Sequence, residues 1–127
     1  MENFAELSWI AIIVGTVASF MVGWAWYSPM LFGKPWAAGS GVDLGDASEM
    51  PVMAMVSQMA ALFFLAMVIG ITATAEALIT AILAILAAAT FVMSQGGFVK
   101  KSGAAIAIDF FYIVVSGVIM IVCQAIF

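Results

Sequence analysis

The 127-residue chain is 67% hydrophobic, and only 8% of its residues are charged. A water-soluble domain carries about 25% charged residues, so this composition excludes an ordinary soluble protein and indicates that the surrounding solvent is lipid. Three lysines without arginine exclude a nucleic-acid-binding surface, and the lack of histidine removes the commonest metal ligand and general base. We therefore expect no enzymatic activity, no metal and no cofactor.

Four segments are long and apolar enough to cross the bilayer, which takes about 20 residues in a helix. They cover residues 7–30, 50–71, 75–94 and 103–127. The sequence therefore predicts an all-α fold in which residues 1–127 form a single transmembrane domain, an integral membrane four-helix bundle.

The first span carries a row of small residues, each four positions from the next: Ala11, Gly15, Ser19 and Gly23. Helices in lipid associate through close packing, which small residues permit. Two uses of this row remain open. It can close a single four-helix bundle, or it can contact a second copy of the chain or a larger partner protein.

Three aromatic residues close the first span: Trp24, Trp26 and Tyr27. Such residues are typical of the belt at the membrane–water interface. The segment from Phe32 to Glu49 is predicted to be a loop. Trp36 places its first part on the membrane surface, whereas the glycines and polar residues of 39–46 indicate a flexible part.

The remaining links are short or contain helix-capping residues. We predict that Ser48, Thr74 and Ser102 cap the second, third and fourth spans, with Glu76 in the first turn of the third. The short link between the second and third spans predicts an antiparallel hairpin, with a continuous kinked helix as the alternative. A pair of glycines, Gly96 and Gly97, is expected to end the third span.

Asp109 is the one charged residue set clearly inside a predicted span, and an ionisable group there is a functional-site hypothesis. It lies roughly 9 Å into its helix at 1.5 Å per residue. One interpretation is structural: Asp109 pairs with a lysine or accepts a hydrogen bond from a tryptophan or tyrosine. The other is functional: Tyr112, Ser116 and Cys123 continue the same polar side of the fourth span, and Asp109 lies at a similar depth to Trp24, Trp26 and Tyr27, so the carboxylate can face these donors. Such a site could bind a proton, a cation or a lipid headgroup.

The three lysines predict the orientation of the chain. Lys34 lies in the first loop, and Lys100 and Lys101 lie in the third, so all three belong to one side of the membrane. Loops rich in lysine stay in the cytoplasm. We therefore expect a multi-pass protein of the cell inner membrane with both termini on the non-cytoplasmic side.

The segment that ends the first span resembles the domain of unknown function family 1761, whose members have four membrane helices. In that family a glycine precedes Trp-Tyr, a proline or similar turn residue, Phe-Gly and a tryptophan; the matching residues here are Gly23, Trp26, Tyr27, Pro29, Phe32, Gly33 and Trp36. The stretch 108–112 is similar to an acidic residue followed by aromatics in the family's fourth helix. The resemblance implies a small four-helix membrane protein, but it does not indicate which activity the protein has.

The small-residue row, the minimal loops and the lack of reactive groups favour a structural or accessory membrane protein. Its partners would be the lipid bilayer and either further copies of itself, in a homo-oligomer, or a larger membrane protein complex. The alternative is a small proton- or cation-coupled transporter or channel that uses Asp109.

Overall fold

A computed structural model describes residues 6–42 and 51–127, and this part of the chain contains five helices and no strand. The helices are α1 (Trp9–Trp26), α2 (Gly33–Ser40), α3 (Val52–Thr74), α4 (Leu78–Phe98) and α5 (Gly103–Ile126). All except α2 are long and apolar enough to cross a membrane. The predicted all-α fold with four membrane spans is therefore confirmed, and the chain is a multi-pass membrane protein.

The last helix, α5, packs against each of the other four, most extensively against α4 and α1. One face of α5 is buried, from Ala105 near its start to Cys123 near its end. Because α1 and α4 run antiparallel to α5, the carboxyl end of α1 and the amino end of α5 meet at one end of the bundle. The three lysines belong to this end, which we call the lysine end.

The apolar core lies towards the opposite end, where the amino end of α1 meets the hairpin of α3 and α4. Its buried members are Leu7, Ile12, Leu62, Ala66, Ile69, Ala81, Ile85 and Met120. Small residues bring the helices close enough for this packing. A Cβ on Gly70 would lie 3.1 Å from Ile12 Cδ1, and one on Gly15 would lie 3.4 Å from Met120 Cγ.

The hairpin between α3 and α4 forms as predicted, but the predicted cap is wrong. Thr74 is the last residue of α3, and its hydroxyl donates to the Ile71 carbonyl within that helix. Glu76 lies in the turn with a φ of 54°, in the left-handed region, instead of in the first turn of a helix. The reversal is closed by the Ala77 N–H, which donates to the Thr72 carbonyl over 2.8 Å.

Two other predicted helix ends have different outcomes. The Ser102 hydroxyl accepts a 3.1 Å hydrogen bond from the Ala105 N–H, so the predicted cap of α5 is confirmed. The expectation that Gly96 and Gly97 end the third span is wrong, since α4 continues to Phe98. Gly96 is buried within α4 because α5 approaches it closely. Ser48 lies outside the described residues.

Helix α2 is a structure that the sequence did not predict, because residues 33–40 were expected to be loop. After α1, the Leu31 and Gly33 N–H groups both donate to the Ser28 carbonyl and close a tight turn. Gly33 is buried in this turn, and only a glycine fits there because a Cβ would overlap backbone atoms of Tyr27 and Ser28. The helix ends at Gly41, whose φ of 72° is in the left-handed region. The part of the predicted flexible segment from 43 to 46 lies outside the described residues.

Candidate functional site

Four polar residues of α5 lie on one buried face, as their spacing of three, four and seven positions requires. They are Asp109, Tyr112, Ser116 and Cys123, each at most 8% exposed. Its first three residues, Asp109, Tyr112 and Ser116, face the carboxyl half of α1 and the residue that follows it. The sequence-predicted polar side of α5 is thus turned inwards, away from the lipid.

Both carboxylate oxygens of Asp109 are engaged within the chain. The Tyr27 hydroxyl donates to Oδ1 over 2.5 Å, and Lys101 Nζ donates to Oδ2 over 2.9 Å. The Asp109 side chain is 10% exposed and that of Lys101 is 24% exposed, so the ion pair is buried on one side and reaches the surface on the other. The lysine neutralises the carboxylate, which would be costly to bury alone.

Tyr27 follows the last residue of α1 and acts as the donor to Asp109. Burial of the ring, together with the hydrogen bond to Asp109, raises the pKa of the Tyr27 hydroxyl. The phenol therefore keeps its proton, and the carboxylate keeps a neutral donor on one oxygen and a cation on the other.

Two further hydrogen bonds join α1 to α5 beside this ion pair. The Tyr112 hydroxyl donates to the Ser19 carbonyl over 2.8 Å, and Trp26 Nε1 donates to the Ile108 carbonyl over 3.0 Å. Gly23 makes the first contact possible, since a Cβ there would lie 2.5 Å from the Tyr112 hydroxyl oxygen. A glycine is needed at this position because the tyrosine ring passes directly over the α1 backbone.

Aromatic rings surround these hydrogen bonds and form what we call the aromatic cluster: Trp26, Tyr27, Phe32, Trp36 and Tyr112. The Tyr27 ring meets those of Trp36 and Tyr112 edge to face, with centroids 5.1 Å and 5.5 Å apart. The Trp26 and Phe32 rings are 4.7 Å apart. Such pairs stabilise by about 0.5–1.5 kcal/mol beyond the area that they bury. The cluster therefore fixes the corner between α1 and α2.

Helix α2 covers the outer side of the Asp109 site. Lys101 Nζ lies 5.6 Å from the centroid of the Trp36 ring, within the range of a cation–π contact. The Gly39 carbonyl accepts a 2.9 Å hydrogen bond from the Ser102 N–H. A Cβ on Gly39 would overlap Ser102 Oγ, so α2 can reach the start of α5 only with a glycine here.

The structure brings together most of the residues that the sequence indicated. Trp26, Tyr27, Tyr112 and Asp109 meet at the lysine end. Trp24 does not join them, because it lies on the outer side of α1 and is 59% exposed. The sequence analysis missed the role of Gly39 in the contact between α2 and α5, because this glycine was interpreted as a sign of flexibility.

The small-residue row of α1 is buried inside the chain. Each of its residues, Ala11, Gly15, Ser19 and Gly23, faces inwards, and the last three contact α5. The row thus serves the packing of this bundle, which is the first of the two uses left open by the sequence.

Residues 6–42 and 51–127 contain no group of three histidine, cysteine, aspartate or glutamate side chains that could hold a metal ion. Cys123 is buried and free in this part of the chain. The chemistry that Asp109 offers is consequently that of one carboxylate with a phenol and an ammonium group as its partners.

Comparison with known proteins gives one match. No curated protein and no solved structure matches the chain. The model of a family described as "Protein of unknown function (DUF1761)" matches residues 10–125, a range that includes the α1 row, the aromatic cluster and Asp109. The resemblance seen in the sequence is confirmed, and the chain belongs to this family of proteins of unknown function.

Proposed function

We propose that this chain is a structural or accessory membrane protein that works as a homo-oligomer or as a subunit of a larger membrane complex. The observation that carries the proposal is the state of Asp109. Both of its oxygens are bound by groups of the same chain, so the one carboxylate within a membrane helix is used to hold the end of α1 to α5, and its partner Lys101 also contacts Trp36 of α2.

The character of the outer surface supports the same function. Large apolar side chains cover the outside of all four long helices, among them Ile10, Phe64, Ile79 and Phe91 at 64–74% exposure. The chain has little interior and much surface for lipid or for a neighbouring protein. We propose that the chain is not an enzyme.

We further propose that the protein lies in the cell inner membrane with the lysine end in the cytoplasm. Lys34 and Lys100 are exposed at this end, and Lys101 is partly exposed. The positive-inside rule supports this orientation, which puts both termini on the non-cytoplasmic side.

Purification of the full chain in a mild detergent, followed by native mass spectrometry, tests the proposal. We expect a defined homo-oligomer, or a second protein in fixed stoichiometry. A monomer that co-purifies with no other protein from its native membrane would overturn the proposed function.

A transporter or channel that uses Asp109 is the second candidate. Lys101 favours it, because its side chain is 24% exposed and could exchange places with a proton or another cation at the carboxylate. Flux of protons and of monovalent cations into proteoliposomes is the test, with Asp109→Asn as the inactive variant and Lys100→Gln as the control. Flux that Asp109→Asn abolishes and Lys100→Gln leaves intact would establish transport; flux equal to that of empty liposomes would exclude it.

A further inference from the structure

A groove of about 290 Å³ runs along α4 at the lysine end. It is lined by Phe91, Val92, Gln95, Gly96, Val99 and Lys101. Gly96 is buried and has no side chain to fill the space, and Val92 and Val99 stand one turn to either side of it. Phe91 and Val92 make one end of the groove apolar. Gln95 and Lys101 bring polar groups to the other end, which adjoins the turn between α4 and α5.

The two ends of the groove lie at different levels of the membrane. Both α4 and α5 are long and apolar enough to cross it, so the connection between them, residues 99–102, lies at the membrane surface. Phe91 is eight positions before Val99, which places it roughly 12 Å further into the membrane. The headgroup region is only about 5–8 Å thick on each side of the hydrocarbon. The groove therefore extends from the headgroups to the acyl chains.

Lys101 provides a cation at the headgroup level. Its ammonium group has three N–H donors, and one of them donates to Asp109 Oδ2 over 2.9 Å. The hydrocarbon part of the side chain lies beside Gly96, since a Cβ on that glycine would be 3.6 Å from Lys101 Cδ. The Gln95 amide, which is exposed, is a further donor one turn away. Phosphate oxygens accept hydrogen bonds from groups of both kinds.

An anionic phospholipid matches both ends of the groove. Its acyl chains lie at the level of Phe91 and Val92, and its phosphate lies at the level of the turn that contains Lys101. A charged headgroup also complements the lysine, because one lysine near the membrane surface strengthens the binding of anionic lipid by about 5-fold. A neutral lipid gains the same apolar contacts but less from the cation, so charge decides which lipid occupies the groove.

We propose that this groove binds an anionic phospholipid, with the phosphate at Lys101 and Gln95 and an acyl chain against Phe91 and Val92. The inference goes beyond the proposed function, and it holds for either orientation of the lysine end. Lys101 serves both the lipid and Asp109. Because the Asp109 carboxylate neutralises part of the charge that attracts the lipid, its removal should strengthen lipid binding.

Native mass spectrometry of the full chain in detergent, titrated with dioleoylphosphatidylglycerol or dioleoylphosphatidylcholine, tests the site. We expect the first phosphatidylglycerol to bind about 2- to 5-fold more tightly than the first phosphatidylcholine. Asp109→Asn leaves the charge of Lys101 to the lipid and should raise this preference by about 2-fold or more. Equal affinity of the unaltered chain for the two lipids would overturn the inference.

Two further variants distinguish a site from a general attraction to positive charge. Lys101→Gln combined with Asp109→Asn removes the cation and leaves no unpaired carboxylate, so it should abolish the preference. Lys34→Gln is the matched control, because Lys34 is exposed at the same end but lies on α2, outside the groove. It should keep the preference. A general attraction predicts the reverse, since the double variant retains the net charge and Lys34→Gln lowers it.

A variant that fills the groove tests the apolar end with every charge in place. Val92→Trp is expected to weaken the binding of both lipids by about 5-fold or more, because its ring occupies the position of the acyl chain. Ile79→Trp adds the same ring at a 74% exposed position near the start of α4, at the opposite end of the bundle, and should have no effect. Unaltered lipid binding by a Val92→Trp chain of normal helical content would contradict the site.

The outcomes separate this inference from the proposed function. A chain that forms a homo-oligomer or a complex but binds both lipids equally would retain the accessory function and overturn the lipid site. A monomer without any protein partner that still prefers phosphatidylglycerol through Lys101 would overturn the accessory function and retain the lipid site.

Discussion

The Tyr27 hydroxyl and Asp109 Oδ1 lie 2.5 Å apart, although 82 positions separate the two residues in the chain. This hydrogen bond joins the carboxyl end of α1 to the amino end of α5. Lys101 binds the other oxygen of the same carboxylate and lies over the Trp36 ring of α2. One carboxylate is therefore the point at which three helices are fixed to each other.

Removal of the Tyr27 hydroxyl should weaken the bundle measurably. Tyr27→Phe keeps the ring and its aromatic contacts but leaves Asp109 Oδ1 without its donor. We expect a loss of about 1–2 kcal/mol in the free energy of unfolding, as for other hydrogen bonds to charged groups. Reversible unfolding by SDS in mixed micelles measures it. Trp24→Phe, at an exposed position of the same helix, should change the stability by less than about 0.5 kcal/mol.

The two adjacent lysines should differ in their effect. Lys101→Gln leaves the Asp109 carboxylate without its cation and should cost roughly 1–3 kcal/mol, less than for a fully buried pair because Lys101 is partly exposed. Lys100→Gln should have almost no effect, since Lys100 is exposed in the turn before α5.

A double variant tests whether the Lys101 effect comes from the pair. Lys101→Gln combined with Asp109→Asn should lose less stability than the sum of the two single losses, because no unpaired charge then remains. Strict additivity in the same unfolding measurement would argue against the ion pair.

Gly23→Ala should destabilise the protein by about 1–3 kcal/mol, the usual range for overpacking. The added Cβ would lie 2.5 Å from the Tyr112 hydroxyl oxygen and would displace the ring from the Ser19 carbonyl. Gly97→Ala is the matched control within α4, where a Cβ meets nothing within 4 Å. That variant should be neutral or stabilising by up to about 1 kcal/mol. Equal effects of the two variants would show that close packing at Gly23 does not matter.

Gly39→Ala should separate α2 from α5, because the new Cβ would overlap Ser102 Oγ. The Ser102 amide would then lose its acceptor, the Gly39 carbonyl, and its hydrogen exchange should become about 10-fold faster or more, which corresponds to roughly 1.4 kcal/mol. Ala38→Ser, at an exposed neighbouring position, should leave the exchange unchanged. Unaltered protection of Ser102 in Gly39→Ala would contradict the close contact.

Labelling of single cysteines should reveal the orientation of the bundle. In a Cys123→Ser background, Glu76→Cys is expected to react with a membrane-impermeant maleimide added to intact spheroplasts. Lys100→Cys should react only after the membrane is opened, because we expect the lysine end to face the cytoplasm. The reverse labelling pattern would invert the proposed topology.

The sequence was sufficient for the four spans and indicated which ends of α1 and α5 would meet, but it left the use of the α1 row and the role of Asp109 open. Length and hydropathy set the four long helices, and the four-residue spacing from Ala11 to Gly23 indicated the side of α1 that packs. Trp26 continues this row seven positions after Ser19, whereas Trp24 does not. This spacing indicates that Trp26, and not Trp24, faces the interior. It was overlooked because tryptophans are common at the membrane interface, and both residues were assigned to that belt.

Helix α2 could not be predicted from local preference. Residues 33–40 contain two glycines and a proline, which favour a turn in an isolated peptide. The helix forms because it packs on the start of α5, where Gly39 meets Ser102. Local preference also failed at Thr74. Threonine is a common helix-capping residue, but Thr74 is the last residue of α3, and Glu76 adopts the left-handed conformation in the turn that follows.

The position of α5 at the centre of the bundle also sets the order in which the protein can be completed during synthesis. The hydrogen-bond acceptors of Trp26 and Tyr27 are each 82 residues further along the chain. At about 5–20 residues per second, the ribosome synthesises them roughly 4–16 s later. Until then the part of the inner side of α1 that contacts α5, including Ser19 and Gly23, is not covered by that helix. A chain released before α5 would therefore expose that side to the insertion machinery, to quality-control proteases and to other newly made helices.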